Sequence, residues 1–174
     1  MKKKALIISF KDLEKSTSVF KDKKTVLVGG CFDLIHFGHL KFLEKAKEQG
    51  DFLIIALESD EFIKKHKKKL SIHSQKERAE ILGNLSMIDM IILLPFFANG
   101  RDYFDLVKLI SPQVVAVTSG DPQIKNKKKQ VEEIGGRLVT VIPLIKKFST
   151  RKGQTVFMKD ILEETKNLAK KEIK

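Results

Sequence analysis

Residues 28–39 decide the fold of this chain, and they read Val28-Gly29-Gly30-Cys31-Phe32-Asp33-Leu34-Ile35-His36-Phe37-Gly38-His39. An apolar strand runs into a glycine pair, and two histidines then open an amphipathic helix. In open α/β sheets, ligands bind at the carboxyl ends of the strands, and the free amide groups of a helix N-terminus attract anions. The order strand, glycine pair, helix therefore predicts a phosphate site in an α/β domain.

The two histidines of this stretch, His36 and His39, are three residues apart. In the first turn of a helix this spacing turns both imidazoles to the same side, so both can reach one phosphate, and Gly38 leaves room for it. One alternative is a simple turn at Gly29-Gly30 followed by surface or capping histidines. A metal pair is a third alternative, less favoured because the chain shows none of the paired spacings of a zinc site. Two features at fixed spacing favour phosphate contact.

Outward from this stretch, short β-branched runs alternate with longer amphipathic segments, which predicts a parallel sheet of about five strands with crossover helices on both faces. The predicted strands are residues 25–29, 52–57, 90–94, 114–118 and 138–142. The predicted helices are residues 38–49, 59–66, 75–85, 102–110 and 124–134. We expect a single α/β domain, with a helical extension over residues 1–24, a core over residues 25–150 and a C-terminal helix over residues 151–174.

The 174 residues carry a formal net charge of +12, almost all of it from lysine. This charge indicates nucleic acid, an acidic membrane or anionic small molecules as partners, or simply a solvated lysine-rich surface. Few aromatic residues lie among the lysines, so we expect no nucleic-acid partner. Apolar runs are too short for a membrane span or a signal peptide, and the single cysteine, Cys31, cannot form an internal disulfide. We therefore expect a cytoplasmic protein.

Residues 30–39, Gly-Cys-Phe-Asp-Leu-Ile-His-Phe-Gly-His, resemble the G-[TC]-F-D-x-x-H-x-G-H signature of the cytidylyltransferase-like nucleotidyltransferase superfamily. Later blocks look like glycerol-3-phosphate cytidylyltransferases, whereas the N-terminal segment and Cys31 look more like heptose-1-phosphate adenylyltransferases. Those blocks are residues 58–62, 64–69, 77–78 and 88–89, and residues 148–150 look like the family's I-S-T-T motif. The resemblance implies a Rossmann-like fold, a nucleoside triphosphate bound with Mg²⁺, and direct attack of an acceptor phosphate on the α-phosphorus without a covalent enzyme intermediate.

The resemblance also implies roles for particular residues. His36 and His39 would be catalytic and stabilise charge at the α-phosphate. The nucleotide-binding residues would be Gly30, Cys31, Phe32, Gly38, Asp121, Ser149, Thr150 and Arg151. The residues at the phosphates or the acceptor would be Asp33, Lys67, Lys69 and Arg78. The resemblance assigns no residue to the metal ion.

Several of these residues have a structural alternative. Arg78 can clamp a phosphate or brace its helix against an acidic side chain. The lysine run at residues 64–69 can be a solvated helix end, Gly120-Asp121 a turn, and Ser149-Thr150 an N-cap. At these positions the sequence leaves both interpretations open.

Three positions depart from the glycerol-phosphate enzymes. Ser86 and Leu144 stand where those enzymes carry arginines, and Arg151 stands in place of a threonine. The donor therefore stays open between ATP and CTP, and the acceptor between a sugar phosphate such as heptose 1-phosphate and a polyol phosphate such as glycerol 3-phosphate. A catalytically impaired, nucleotide-binding regulatory protein is the alternative, against which the intact histidine pair argues. The family also contains homodimers, and no feature of this sequence establishes one.

Overall fold

Six parallel strands form one sheet in the computed structural model, which describes residues 4–68 and 70–143. The strands are β1 (Leu6–Ser9), β2 (Thr25–Gly30), β3 (Phe52–Leu57), β4 (Met90–Leu93), β5 (Val114–Thr118) and β6 (Arg137–Ile142). They lie in the order β1-β4-β3-β2-β5-β6. Every residue of β3 is buried, as expected for a strand covered by helices on both faces. The Rossmann-like α/β fold expected from the sequence is confirmed.

Helices cover both faces of this sheet. Within the described residues they are α1 (Leu13–Ser16), α2 (Phe37–Lys47), α3 (Asp60–Lys67), α4 (Gln75–Gly83), α5 (Gly100–Ile110) and α6 (Ile124–Glu133). One core holds apolar side chains of α2 and α4, such as Leu43 and Leu82, and the other holds those of α1, α5 and α6, such as Leu13, Val107 and Val131. The predicted crossover helices match α2 to α6 to within a few residues at each end.

The N-terminal region differs from the expected helical extension over residues 1–24. Leu6–Ser9 form the edge strand β1, which pairs with β4, so the sheet has six strands rather than about five. The expected helix follows as α1, with 3-10 turns at Phe10–Asp12 and Thr17–Val19 on either side of it. A run as short as Leu6–Ser9 carries too little periodicity to be recognised as a strand, and only the open edge of β4 gives it a partner.

The strand order reverses direction between β2 and β5. From β2 the chain builds outward through β3 and β4, and it then crosses to the other side of β2 to build β5 and β6. A reversal of this kind leaves a crevice between the loops that follow the two central strands, and ligands of open α/β sheets bind there. The fold thus places a ligand site just after β2 and β5.

Among the residues that the structure describes, no helix is both long and apolar enough to cross a bilayer. The expected C-terminal helix at residues 151–174 lies outside the described residues. The division of the chain into an extension, a core and a C-terminal helix stays a prediction for that part.

Candidate active site

A cavity of about 380 Å³ opens at the strand reversal. Its wall combines the residues that follow β2, the first turn of α2, the end of β5 and the turn before α6. The lining residues are Gly29, Gly30, Cys31, Phe32, His36, Gly38, His39, Phe42, Lys67, Ala116, Val117, Thr118, Gly120, Asp121, Pro122 and Ile142. The structure therefore gathers eight of the sequence-predicted site residues around one cavity: Gly30, Cys31, Phe32, His36, Gly38, His39, Lys67 and Asp121.

The two histidines stand side by side at the start of α2. His36 is the N-cap residue, with an extended backbone (φ −139°, ψ 171°), and its Nδ1 accepts a hydrogen bond from the backbone N–H of His39 at 3.3 Å. The two rings are stacked, with centroids 3.8 Å apart and planes 16° apart. Because the helix N-terminus also presents backbone N–H groups here, the arrangement suits an anion lying across both imidazoles.

Burial lowers the pKa of both imidazoles. It lowers the pKa of His39 to about 4, helped by the charge of His36 and partly offset by the backbone of Leu34. Burial likewise lowers the pKa of His36, against a smaller opposing effect of its own backbone. Nδ1 of His39 is buried and has no hydrogen-bond partner among the described residues. A neutral imidazole can donate one N–H to a phosphate oxygen without carrying a full charge into the apolar wall.

The loop after β2 brings backbone close to the cavity. A Cβ at Gly30 would lie 2.8 Å from Cε2 of Phe32, so this position tolerates no side chain unless that ring moves. Phe32 itself has a left-handed backbone (φ 47°), is buried, and packs its ring 5.2 Å from that of His39. Such a conformation is uncommon for a bulky residue and is found where the surrounding structure enforces it. Packing of Phe32 against His39 thus couples the glycine loop to the histidine pair.

Asp33 and Arg78 brace the loops behind the cavity wall. Asp33 is 4% exposed, and its Oδ1 accepts hydrogen bonds from the backbone N–H of Ile72 at 2.8 Å and of His73 at 3.4 Å. Arg78 is fully buried and donates to the carbonyl oxygens of Cys31, Glu58 and His73 and to the carboxylate of Asp60. These contacts correspond to the bracing alternative for Arg78, and a phosphate contact at either residue stays a prediction.

The remaining candidates divide by position. Lys67, the last residue of α3, and Asp121, in the turn before α6, both line the cavity. Asp121 holds an ion pair, because its Oδ2 lies 2.6 Å from Nζ of Lys127. Lys69, Ser149, Thr150 and Arg151 lie outside the described residues, as does Leu144. Their roles stay predictions.

Sequence reasoning missed a polar group next to the cavity. Glu58 follows β3 directly, is 7% exposed, and accepts a hydrogen bond from the hydroxyl of Tyr103 at 3.0 Å. Burial raises the pKa of Glu58 to about 7, against the opposing effects of Tyr103, Lys127, Arg78 and Lys67. Burial and the neighbouring Glu58 raise the pKa of Tyr103 as well. The sequence signals were an acidic residue immediately after a wholly apolar strand, at the end where ligands bind, and its place at the start of the block of residues 58–62.

The described residues contain no group of three or more His, Cys, Asp or Glu side chains placed to hold a metal ion. Mg²⁺ prefers oxygen ligands, keeps several waters, and commonly binds through one or two carboxylates together with the phosphates of a substrate. The cavity fits a metal ion that is bound mainly by a nucleotide, and Asp121 is the carboxylate among the lining residues.

Fold and cavity together define the class of protein, which is an α/β domain of Rossmann-like topology with its ligand site at the strand reversal. Within that class, residues 27–166 match the model of the cytidylyltransferase-like family, and the chain belongs to that family. The superfamily expected from residues 30–39 is therefore confirmed.

Two groups of curated relatives are similar in sequence. The bifunctional protein HldE of Aliarcobacter butzleri is 35% identical over 92% of this chain, which spans 32% of that protein. The FAD synthase of Pyrococcus horikoshii is 37% identical over 65% of this chain and 75% of its own length. The chain thus corresponds to about a third of the HldE protein and to most of the FAD synthase.

Solved structures show the same fold at low sequence identity. A lipopolysaccharide core biosynthesis protein from Thermoplasma volcanium superposes with a TM-score of 0.57 at 20% identity, covering 70% of this chain and 95% of that one. Pantothenate synthetase from Thermus thermophilus gives a TM-score of 0.63 at 15% identity, covering 84% of this chain and 66% of that one. These likenesses support the architecture alone.

The low pKa of His39 predicts a pH-dependent difference in stability between the wild type and His39→Gln. His39 ionises near pH 4 in the folded state and at its ordinary value of 6.5 in the unfolded state, so the unfolded chain binds more protons in that window. Wild-type stability should therefore fall by about 1–3 kcal/mol relative to the variant as the pH drops from about 6.5 to 4.

Urea unfolding at several pH values measures this difference directly. The raised pKa of Glu58 has the opposite effect, because the folded protein loses stability as the pH rises through about 7. This effect is the same in the wild type and the variant, so it cancels in the difference between them. Equal pH slopes for the two proteins would show that His39 titrates normally in the folded state.

Proposed function

We propose that this chain transfers a nucleoside monophosphate from a nucleoside triphosphate to a phosphorylated small molecule and releases pyrophosphate. The observation that carries the proposal is the stacked pair His36 and His39 on the wall of the cavity at the strand reversal. Family membership supports it, because the match spans the motif that supplies both histidines.

The reaction needs positioning and charge neutralisation more than proton transfer. An oxygen of the acceptor phosphate forms a bond to the α-phosphorus, the bond from that phosphorus to the bridging oxygen breaks, and the electron pair leaves with pyrophosphate. Neutral imidazoles of His36 and His39 donate N–H groups to the α-phosphate oxygens as negative charge builds up on them. Lys67, which also lines the cavity, neutralises charge on the outer phosphates. Magnesium supplies further neutralisation when it is bound with the triphosphate.

The names of the relatives favour AMP as the transferred group. FAD synthase is named for a product that contains AMP, which makes ATP the first donor to test and leaves CTP as the second. For the acceptor we propose a sugar phosphate such as heptose 1-phosphate or a polyol phosphate such as glycerol 3-phosphate, and the FAD synthase relatives add flavin mononucleotide to the panel. A cytoplasmic location and a homodimer also stay proposals.

The test is pyrophosphate release by the purified full chain with each nucleotide, Mg²⁺ and each acceptor in turn. We expect release with ATP and one class of acceptor, and none when the acceptor is left out. Saturable binding of Mg-ATP without release from any pair would contradict catalysis and favour the nucleotide-binding regulatory alternative. A second arm without Mg²⁺ should abolish release, since the triphosphate charge is then uncompensated.

A further inference from the structure

Glu58 is a buried acid that the proposed reaction does not use. Its backbone is fixed from two sides, because its N–H donates to the carbonyl oxygen of Gly30 at 3.1 Å and its carbonyl oxygen accepts from Arg78 at 2.8 Å. Its side chain is not part of the cavity wall among the described residues, yet it lies behind that wall at the end of β3. Any influence on a bound ligand therefore passes through neighbouring side chains.

Half of this carboxyl group is satisfied. Tyr103 donates to Oε1 at 3.0 Å, whereas Oε2 is buried and has no hydrogen-bond partner among the described residues. A buried, unpaired carboxylate oxygen is costly, and in proteins such atoms nearly always have a donor in the working state. Oε2 of Glu58 can therefore accept one further hydrogen bond, and a cationic donor would make the strongest one.

The cations whose charges act on Glu58 are Lys127, Arg78 and Lys67. Burial raises the pKa of Glu58, and after the hydroxyl of Tyr103 the charge of Lys127 opposes that rise more than those of Arg78 and Lys67. Arg78 is already held by three carbonyl oxygens and Asp60. Lys127 is held at Asp121, with Nζ 2.6 Å from Oδ2, and Asp121 itself lines the cavity.

The ion pair of Lys127 with Asp121 is poorly suited to a cavity that takes a triphosphate. A carboxylate on the cavity wall repels the phosphates, while the lysine beside it attracts them. When the phosphates enter, Lys127 gains from turning toward them, and it then needs a second protein anchor that keeps it from swinging into solvent. The unpaired Oε2 of Glu58 is such an anchor.

We propose that Glu58 is a positioning residue for Lys127, whose ammonium group moves from Asp121 to Oε2 of Glu58 when a nucleoside triphosphate occupies the cavity. Lys127 then bridges a protein carboxylate and the phosphates, and Asp121 is released to face a metal ion bound with them. This inference rests on the proposed function only in taking a triphosphate as the ligand. Nothing in residues 30–39 points to it, since Glu58, Tyr103 and Lys127 all lie outside that motif.

The test is a double-mutant cycle on nucleotide affinity. Dissociation constants for Mg-ATP and Mg-CTP are measured by calorimetry for the wild type, Glu58→Gln, Lys127→Met and the double variant. Glutamine keeps the volume of Glu58 and an acceptor for Tyr103 but lacks the charge. We expect each single change to weaken binding about tenfold and the double change to weaken it about tenfold as well, because both remove the same interaction.

Two controls separate positioning from a structural role. Tyr103→Phe removes the link from Glu58 to α5 and should change affinity less than about threefold, and the exposed Glu61→Gln should change nothing. The effects of Glu58→Gln and Lys67→Met on the free energy of nucleotide binding should be additive. If each change weakens binding about tenfold, the double variant should bind about a hundredfold more weakly.

The role of Glu58 is overturned if its effect on affinity is additive with that of Lys127, or if it is coupled to that of Lys67 instead. It is also overturned if Glu58→Gln binds nucleotide like the wild type, or if Tyr103→Phe loses as much affinity as Glu58→Gln. In each of these cases, nucleotide binding by the wild type leaves the proposed function standing. A wild type that binds neither nucleotide overturns both. Urea unfolding of each variant verifies that the affinities refer to folded protein.

Discussion

We expect His39→Ala to lower the rate of pyrophosphate release about a hundredfold to a thousandfold, the usual effect of removing one preorganised donor to a developing negative charge. His39 is buried beside His36, its pKa is lowered to about 4, and it therefore presents a neutral N–H donor at pH 7. The loss should appear in kcat, because the charge on the α-phosphate increases in the transition state. Steady-state kinetics with a saturating acceptor measures it.

The matched control is His66→Ala. His66 also lies on a helix and stacks on an aromatic ring, that of Phe62, but it is exposed and does not line the cavity. Its replacement should leave the rate within about twofold, as for surface changes away from a site. Equal losses in the two variants, or a His39→Ala enzyme that keeps the wild-type kcat, would remove the histidine pair from the mechanism.

Arg78→Met should reduce the free energy of unfolding by about 3–5 kcal/mol, the range found when one partner of a buried charged network is removed. The guanidinium group is fully buried and joins the loop after β2, the end of β3 and the start of α4 through Cys31, Glu58, Asp60 and His73. Methionine fills part of the volume but leaves three carbonyl oxygens without their donor. Urea unfolding at pH 7 gives the value.

Arg101→Met is the comparison for this change, because Arg101 is exposed on α5. It should cost less than about 0.5 kcal/mol. If Arg78→Met costs no more than its comparison variant and instead weakens nucleotide binding alone, Arg78 acts on the ligand and not on the fold. If it does not fold at all, Arg78→Lys, which keeps the charge but not the fork of donors, should recover part of the stability.

Much of the fold could be predicted from the sequence, because parallel strands that are covered on both faces consist of unbroken apolar runs. The predicted limits of residues 52–57 and 114–118 coincide with β3 and β5, and both strands are almost wholly buried. Helix α4 begins where predicted, at Gln75, because Ser74 and Glu77 form a capping box that the sequence displays. The edge strand Leu6–Ser9 was not recognised, since its existence depends on pairing with β4.

The sequence predicts those parts of the candidate site whose residues are close together in the chain. The spacing of three residues predicts that His36 and His39 lie side by side, and the structure stacks their rings with His36 at the N-cap of α2. Glu58 and Tyr103 are 45 residues apart, so only the fold brings them together. Arg78 shows the opposite difficulty, because a lone arginine in an amphipathic helix fits a phosphate clamp and an internal brace equally well, and burial decides which contacts it makes.

The transfer of a nucleoside monophosphate is tested by following the α-phosphorus. The full chain is incubated with Mg²⁺, the acceptor found in the release assay, and ATP or CTP labelled with ³²P at either the α- or the γ-position. We expect the α-label to appear in the acceptor product and the γ-label in pyrophosphate. Transfer of the γ-label to the acceptor, or its release as inorganic phosphate while the α-label stays in the nucleoside diphosphate, would contradict the transfer of a nucleoside monophosphate.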